Sequence, residues 1–365
     1  MPSLSSRAVA AAILLSTVLA TSAPAAPKPA TVAAVTAPIE VRVVLVTAFE
    51  IGKDTGDMPG ELQAWAGEIP NTLPFPAGDR PLRYDPKRKL LVLSTGVGTG
   101  RAAVTTMALG SDPRFDLRHA YWLVAAIAGV NPNEASIGSA AWIGDLVDTD
   151  LGYVIDAREI PADWATGIIP LSRSTPYEQP VPKERGGNLM RLNHGLRDWA
   201  LALTRDLKLQ DSDGLRRVRS RYTAYPPALQ PPSILAGDEA TGQGFWHGKI
   251  LNEHTERWVK YWTGGSGRFV MTGMEDTGVV RAVEALGRGG RADPRRVMIL
   301  RTASNYTLPP PGMTVADSLK AESQELTGLR ASLDAAHLLG SRVANEIAGH
   351  WDRYRAFVPG SATAR

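Results

Sequence analysis

The clearest structural signal in the chain is LLVLSTGVGTGRAAVTTMAL at residues 90–109, followed by YWLVAAIAGV at residues 121–130. The first run opens with a buried strand at 90–94, breaks at the glycines of 95–100, and continues as a helix over 101–109. The second run predicts another buried strand. Strand, glycine turn, helix and strand in this order are typical of a parallel α/β sheet covered by helices.

Similar patterns extend the sheet in both directions. The β-branched run VRVVLVTAF at 41–49 predicts a first, central strand. Apolar periodicity predicts further strands at 141–156 (alternating and exposed), 267–272 and 296–300, and helices beginning at 61 and spanning 188–207, 279–286 and 315–351. In the last helix one apolar stripe should face the core: Leu319, Leu326, Leu329, Leu333, Ala336, Val343 and Ile347.

Composition is that of an ordinary globular protein. The chain has 365 residues, of which 44% are hydrophobic and 21% charged, and it has no cysteine. A disulfide scaffold and a cysteine-ligated metal centre are therefore excluded. The 40 basic and 37 acidic residues give a net charge of +3, which argues against nucleic-acid binding. The histidines lack metal-ligand spacing, so no metal site is predicted.

The first residues indicate a secretory signal peptide, predicted at 1–25. Arg7 precedes an apolar core at 8–20, and small residues follow at a spacing that a signal peptidase accepts. An uncleaved anchor helix is the alternative, but the core of about 13 residues is short against the ~20 that span a bilayer. We expect a flexible leader at 26–38 and a single α/β domain at 39–358. The mature protein should be periplasmic or secreted, with no transmembrane segment after cleavage.

Gly98-Thr99-Gly100-Arg101-Ala102-Ala103 matches the glycine fingerprint of dinucleotide-binding proteins. That fold also needs an acidic residue at the end of the next strand, and the next strand here ends in Gly129-Val130-Asn131. NAD binding is therefore disfavoured, and no cofactor is predicted. Two interpretations of the loop stay open: a tight strand–helix turn, or a backbone that approaches an anion or a sugar closely.

Two acids, Glu275 and Asp276, follow the predicted strand at 267–272. Open α/β sheets bind ligands at the carboxyl ends of their strands. A carboxylate there can accept hydrogen bonds from two sugar hydroxyls. The alternative is a helix cap, in which Asp276 begins the next helix while Glu275 still points into the cleft.

Ser304 and Asn305 follow the predicted strand at 296–300. Asparagine carries a donor and an acceptor, which suits the hydrogen-bonding edge of a purine. His247 follows Phe245 and Trp246. That group could stack on a base, but a structural histidine beside core aromatic residues is at least as good an interpretation.

Taken together, these segments resemble the purine nucleoside permease family, from about Val41 to the C-terminus. The resemblance rests on the following sequence motifs: AFE at 48–50, ALGSDPRFD at 108–116, YWL at 121–123, IGSA at 137–140, FWHG at 245–248, YWT at 261–263, MEDTG at 274–278 and RTASNY at 301–306.

The resemblance implies a fold and a set of ribose contacts. The family is similar, more remotely, to nucleoside phosphorylases and nucleosidases, which form a three-layer α/β/α sandwich around a mixed, twisted sheet. By that similarity Met274 and Glu275 would hold the ribose. Gly98 would line its sugar or phosphate end, and Gly129 would lie near base and sugar.

The resemblance also implies which residues contact the purine base and which handle the attacking water or phosphate. Asn305, with Ser304 beside it, would contact N7 of the purine. Glu50 lies near the start of the loop that carries the water-activating glutamate of nucleosidases, and Arg101 is the candidate for binding inorganic phosphate as a co-substrate. Asn305 departs from the usual acid of nucleosidases: it cannot protonate the leaving base, although it can stabilise the anion by hydrogen bonding.

Two functions stay open on the sequence. The first is an enzyme that cleaves the N-glycosidic bond of a purine nucleoside with water or phosphate. The second is a binding protein without catalysis that supports nucleoside uptake. Either takes a purine nucleoside as its partner, and the oligomeric state is left open, with a homo-oligomer as one option.

Overall fold

The structure is a computed structural model that describes residues 37–182, 187–322 and 326–360. The predicted signal peptide at 1–25 and nearly all of the leader at 26–38 lie outside these residues, and both stay predictions. The described residues from Pro38 onward belong to one compact unit. The domain bounds of 39–358 stay a prediction as well.

The chain alternates strands and helices along most of its length. The strands are β1 Ile39–Glu40, β2 Val43–Thr47, β3 Thr72–Leu73, β4 Leu82–Asp85, β5 Leu90–Ser94, β6 Phe115–Asp116, β7 Tyr121–Val130, β8 Ala140–Asp148, β9 Tyr153–Val154, β10 Ile168–Ile169, β11 Leu189–Arg191, β12 Ile234–Thr241, β13 Phe269–Gly273 and β14 Val297–Tyr306. The helices are α1 Gln63–Glu68, α2 Thr99–Ser111, α3 His194–Thr204, α4 Asp213–Arg219, α5 Lys249–Trp262, α6 Asp276–Arg288, α7 Val315–Glu322, α8 Thr327–Gly349 and α9 Trp351–Ala356.

The main sheet is mixed, with the strand order β11-β8-β12-β13-β7-β2-β5-β4-β3. Strand β14 pairs with both β7 and β8, so the five strands β7, β14, β8, β12 and β13 close into a ring at one end of the sheet. Strand β13 runs antiparallel to β7 and meets it where Met271 faces Val130. The end of β13 therefore lies beside the carboxyl end of β7.

Strand β7 shows why the fold has three layers. Trp122, Val124 and Ala126 contribute to the core on one face of the sheet. Tyr121 and Leu123 contribute to the core on the other face. A strand that is apolar on both faces needs cover on both. Residues of α2, α4 and α6 form one layer, and residues of α1, α3, α8 and α9 form the other, which confirms the predicted α/β/α sandwich.

Several expectations from the sequence were wrong. The helix predicted at 188–207 begins only at His194, after the short strand β11. The strand at 141–156 was expected to be exposed, but β8 is buried from Ala140 to Val147. The closed ring of strands explains this, since β8 lies between β12 and β14. Leu319 and Leu326 of the apolar stripe are exposed, because the helical tail is divided into separate helices. Strand β12 was not predicted, because Gly237, Asp238 and Glu239 resemble a turn.

Among the described residues, no helix is both long enough and apolar enough to cross a bilayer.

Candidate functional site

A cavity opens where β2, β7, β13 and β14 end. It encloses about 670 Å³ of empty space including its mouth. Its lining is Ala48, Phe49, Glu61, Val97, Ile127, Ala128, Gly129, Phe245, Thr272, Gly273, Met274, Glu275, Arg301, Ser304 and Asn305.

Five residues predicted from the sequence meet in this cavity. They are Gly129 from β7, Met274 and Glu275 after β13, and Ser304 and Asn305 from β14. The antiparallel contact between β13 and β7 brings them together, and the Gly129 N–H donates to Thr272 Oγ1 over 3.0 Å. A ligand in the cavity can therefore touch Glu275 and Asn305 at once.

Arg301 anchors the acidic side of the cavity. Its Nη2 donates to Glu275 Oε2 over 3.0 Å, and its Nε donates to Asp276 Oδ2 over 2.7 Å. The third nitrogen, Nη1, donates to the carbonyl of Ile127 over 2.8 Å. Burial alone would lower the pKa of Arg301, but the surrounding carboxylates outweigh it and raise that pKa. The guanidinium stays charged and fixes the orientation of Glu275.

A third buried acid, Glu239 of β12, lies behind this pair. Its Oε2 is 3.8 Å from Arg301 Nε, and the side chain is fully buried. Burial raises the pKa of Glu239 well above its usual range, and the charge of Asp276 adds to the effect. Burial beside Asp276 therefore favours the protonated form of Glu239.

Glu61 lines the same cavity and was not singled out from the sequence. It lies just before α1, and its two carboxylate oxygens accept the backbone N–H groups of Ala48 (2.5 Å) and Ile127 (2.7 Å). Burial raises the pKa of Glu61 to about 7; the Glu275 carboxylate also raises it, whereas Arg301 and the two N–H donors lower it. Near neutral pH this side chain can hold or release a proton.

Asn305 is held at the other side of the cavity. Its Oδ1 accepts the Ser304 hydroxyl over 2.9 Å, and its Nδ2 is 3.3 Å from the carbonyl of Tyr306. The second Nδ2 hydrogen and the remaining Oδ1 lone pair are available to a ligand. Phe245, which is 55% exposed, lines the cavity mouth nearby.

The other predicted site residues lie outside this cavity. The Gly98 N–H donates to Glu275 Oε1 over 3.1 Å, so it positions the carboxylate. Glu50 and Arg101 line a neighbouring cavity, which shares Ala48, Phe49 and Val97 with the first. His247 lines a separate cavity beyond Asn305, called the second cavity below, and its Nε2 is 3.0 Å from Ser318 Oγ.

Sequence reasoning missed Glu61, Glu239 and the role of Arg301. Arg301 belongs to a quoted motif, and an arginine inside a buried strand is a signal in itself, because such a cation needs acidic partners. Glu61 gives no comparable signal. It lies in a polar segment whose path back to Ala48 and Ile127 only the fold reveals.

Known structures share this architecture. The chain is similar to the 5′-methylthioadenosine/S-adenosylhomocysteine nucleosidase of Helicobacter pylori, with a TM-score of 0.50 at 14% identity over 83% of this chain and 97% of that one. The corresponding nucleosidase of S. pneumoniae gives a TM-score of 0.50 at 13% identity, over 83% and 99% of the two chains. These similarities define the class by fold: a nucleoside phosphorylase-like α/β/α protein.

The family follows from the sequence itself. The chain belongs to the purine nucleoside permease family, whose sequence model matches residues 40–359. It is 29% identical over 265 residues to the purine nucleoside permease of Candida albicans, and the match covers 72% of this chain but 64% of that protein's length. A probable purine nucleoside permease of Schizosaccharomyces pombe is 28% identical over 268 residues, 71% of this chain and 76% of the relative. The family resemblance is confirmed.

Proposed function

We propose that the chain binds a purine nucleoside in the cavity between Glu275 and Asn305 and cleaves its N-glycosidic bond with water. The sugar hydroxyls would lie on Glu275, and the base would lie against Asn305. The observation that carries the proposal is Glu61, a carboxyl group in the same cavity whose pKa is raised to about 7. A general base works best when its pKa lies near the working pH.

The acids have complementary tasks in this reaction. Deprotonated Glu61 accepts a proton from a water molecule, and the water oxygen attacks the anomeric carbon as the bond to the base breaks. The sugar gains positive charge in the transition state, which the buried carboxylates stabilise. Arg301 holds Glu275 so that its orientation needs no adjustment during the step.

Asn305 acts on the leaving base. Its amide N–H can donate to N7 and stabilise the negative charge that develops on the purine. It supplies no proton, so the base must take one from solvent.

Water is favoured over phosphate by the charges in the neighbouring cavity. Arg101 Nη1 is 3.2 Å from Asp79 Oδ2, and Arg80 Nη1 is 2.5 Å from Asp54 Oδ1. Each cation already has a carboxylate partner, which a phosphate would have to displace. Phosphate as a co-substrate remains the competing assignment for Arg101.

The test is release of free base from inosine, adenosine and guanosine by the purified protein, with and without phosphate. We expect the wild type to release base in phosphate-free buffer. In Glu61→Gln the rate of release should fall by a factor of about 10² or more. The comparison is Glu50→Gln, which removes the acid that the family resemblance assigns to water activation and should keep the rate if Glu61 is the base. Strict dependence on phosphate would contradict hydrolysis.

A second candidate function is nucleoside capture without turnover. Asn305 favours it, since an amide stands where nucleosidases carry an acid. The relatives named permeases suggest that capture would serve nucleoside uptake, and the apolar core at 8–20 supports a location outside the cytoplasm. Calorimetry that shows nucleoside binding, together with no base release, would select this function.

A further inference from the structure

A second cavity lies beyond Ser304 and Asn305, on the side away from Glu275. It encloses about 490 Å³ including its mouth, and Ser304 and Asn305 line both cavities. The rest of its wall comes from β14, α4, α7 and the segment between β14 and α7, with Val218, Tyr222, Tyr306, Pro310 and Met313 among its residues.

Apart from Asn305, the wall of this second cavity is largely apolar, because most of its polar groups bind other groups of the protein. The rings of Tyr222 and Tyr306 lie with centroids 3.8 Å apart. Their hydroxyls donate to the carbonyls of Leu308 and Ala228, each over 3.0 Å. At the polar end His247 and Ser318 bind each other. Arg221 also lines the cavity, with its Nη2 3.3 Å from Met313 Sδ. Most of the surface that remains for a ligand is hydrocarbon and aromatic ring.

The chemistry of the purine connects the two cavities. N7 and the substituent at C6 lie on the same edge of the ring, and an asparagine that donates to N7 alone leaves room beside it for a substituent on the exocyclic nitrogen. A base that presents this edge to Asn305 directs its C6 substituent towards Asn305 and the space behind it. In adenosine that substituent is a bare amino group.

We propose that the second cavity binds an apolar substituent carried on the exocyclic amine of the purine. The substrate class is thus N6-substituted adenine nucleosides with an aryl or branched alkyl group. This inference rests on the proposed binding of nucleosides between Glu275 and Asn305. It would use surface that adenosine itself leaves uncovered.

The experiment compares adenosine with N6-benzyladenosine by calorimetry, using the whole protein. The variant Val218→Phe narrows the second cavity without touching the first. Its control is Val104→Phe, at a 68% exposed position of α2. We expect the wild type to bind the benzyl compound at least as tightly as adenosine. Val218→Phe should weaken the binding of the benzyl compound by about ten-fold and leave the binding of adenosine unchanged. The control variant should bind both ligands as the wild type does.

The possible outcomes distinguish failure of the proposed function from failure of the proposed role of the second cavity. Binding of adenosine with exclusion of the benzyl compound would overturn this inference and leave the proposed function intact. Equal effects of Val218→Phe on both ligands, or no effect on either, would also overturn it, because the benzyl group would then lie elsewhere. Failure to bind either ligand would overturn the proposed function and this inference together.

Discussion

At the scale of single residues, the site is a group of buried acids arranged around one cation. Glu239, Glu275 and Asp276 all lie within 4 Å of the Arg301 guanidinium, and Glu61 faces the same cavity. Buried charges are costly unless they are paired. With four acids around one cation, burial and the neighbouring carboxylates raise the pKa values of Glu61 and Glu239.

Glu275→Gln should weaken the binding of nucleosides far more than the binding of free bases. The amide keeps the shape of the side chain but loses the negative charge that accepts two sugar hydroxyls. We expect a loss of about ten-fold or more for inosine and little change for hypoxanthine, measured by calorimetry. Glu284→Gln, on the outer part of α6, is the control. Equal losses for both ligands would contradict the assignment of the sugar to Glu275.

The raised pKa of Glu61 links catalysis to pH. The base is active only when deprotonated, so the rate of base release should rise through about pH 7. The measurement is kcat/KM between pH 5 and pH 9. A flat profile across that range would argue against Glu61 as the base.

The same group should make stability depend on pH. The folded protein holds the Glu61 proton up to about pH 7, whereas the unfolded chain releases it near the ordinary value of 4.5. Stability is therefore lost as pH rises between these values. Glu61→Gln removes the titration, so its Tm relative to the wild type should be higher at pH 8 than at pH 5. A difference in Tm that is the same at both pH values would be inconsistent with the raised pKa.

At the scale of elements, the crossing of α2 and α6 sets the position of Glu275. Both helices begin at the cavity: the Gly98 N–H before α2 binds Glu275, and Thr99 Oγ1 donates to the carbonyl of Met274 over 3.0 Å. The helices touch through Gly278, where an added Cβ would lie 2.2 Å from the carbonyl oxygen of Thr99. Contact this close leaves no room for a side chain.

Gly278→Ala should therefore destabilise the fold by about 1–3 kcal/mol. Gly100→Ala is the matched control, because an added Cβ there meets nothing within 4 Å, and alanine favours a helix. Thermal unfolding should show a lower Tm for the first variant and an unchanged or higher Tm for the second. Equal Tm values in both variants would show that the helices can move apart without cost.

Strands were predictable from the sequence where a continuous apolar run marked them. Strand β7 is apolar on both faces and was found from its sequence, as were β2 and β5. Strand β12 was missed because Asp238 and Glu239 lie within it, fully or nearly buried. Local rules assign such residues to turns. In the fold, Asp238 accepts the backbone N–H groups of Asp145 and Arg268, and Glu239 lies 3.8 Å from Arg301. Sequence patterns thus misplaced one of the acids around Arg301.

At the scale of the whole molecule, the closed ring of strands places the cavity. Strands β13 and β14 both contact β7, so Glu275 and Asn305, which are 30 positions apart in the sequence, line one space. The sequence predicted both residues and the strand ends that carry them. It could not predict the ring, because pairing of β14 with β8 is a long-range contact without a local signal.

A ligand that bridges β13 and β14 should stabilise the whole fold. At a nucleoside concentration 100 times its Kd, the stabilisation is about 2.7 kcal/mol. We expect a higher Tm with inosine or adenosine and no increase with phosphate alone. An increase with phosphate of the same size would instead support an anion site near Arg101.

The most direct measurement is a crystal structure of Glu61→Gln with bound nucleoside, in which cleavage should be too slow to remove the ligand. We predict sugar hydroxyls within hydrogen-bonding distance of Glu275 and the N7 edge of the purine against Asn305. A nucleoside bound in another cavity, or in this one with its base on Glu275, would contradict the account.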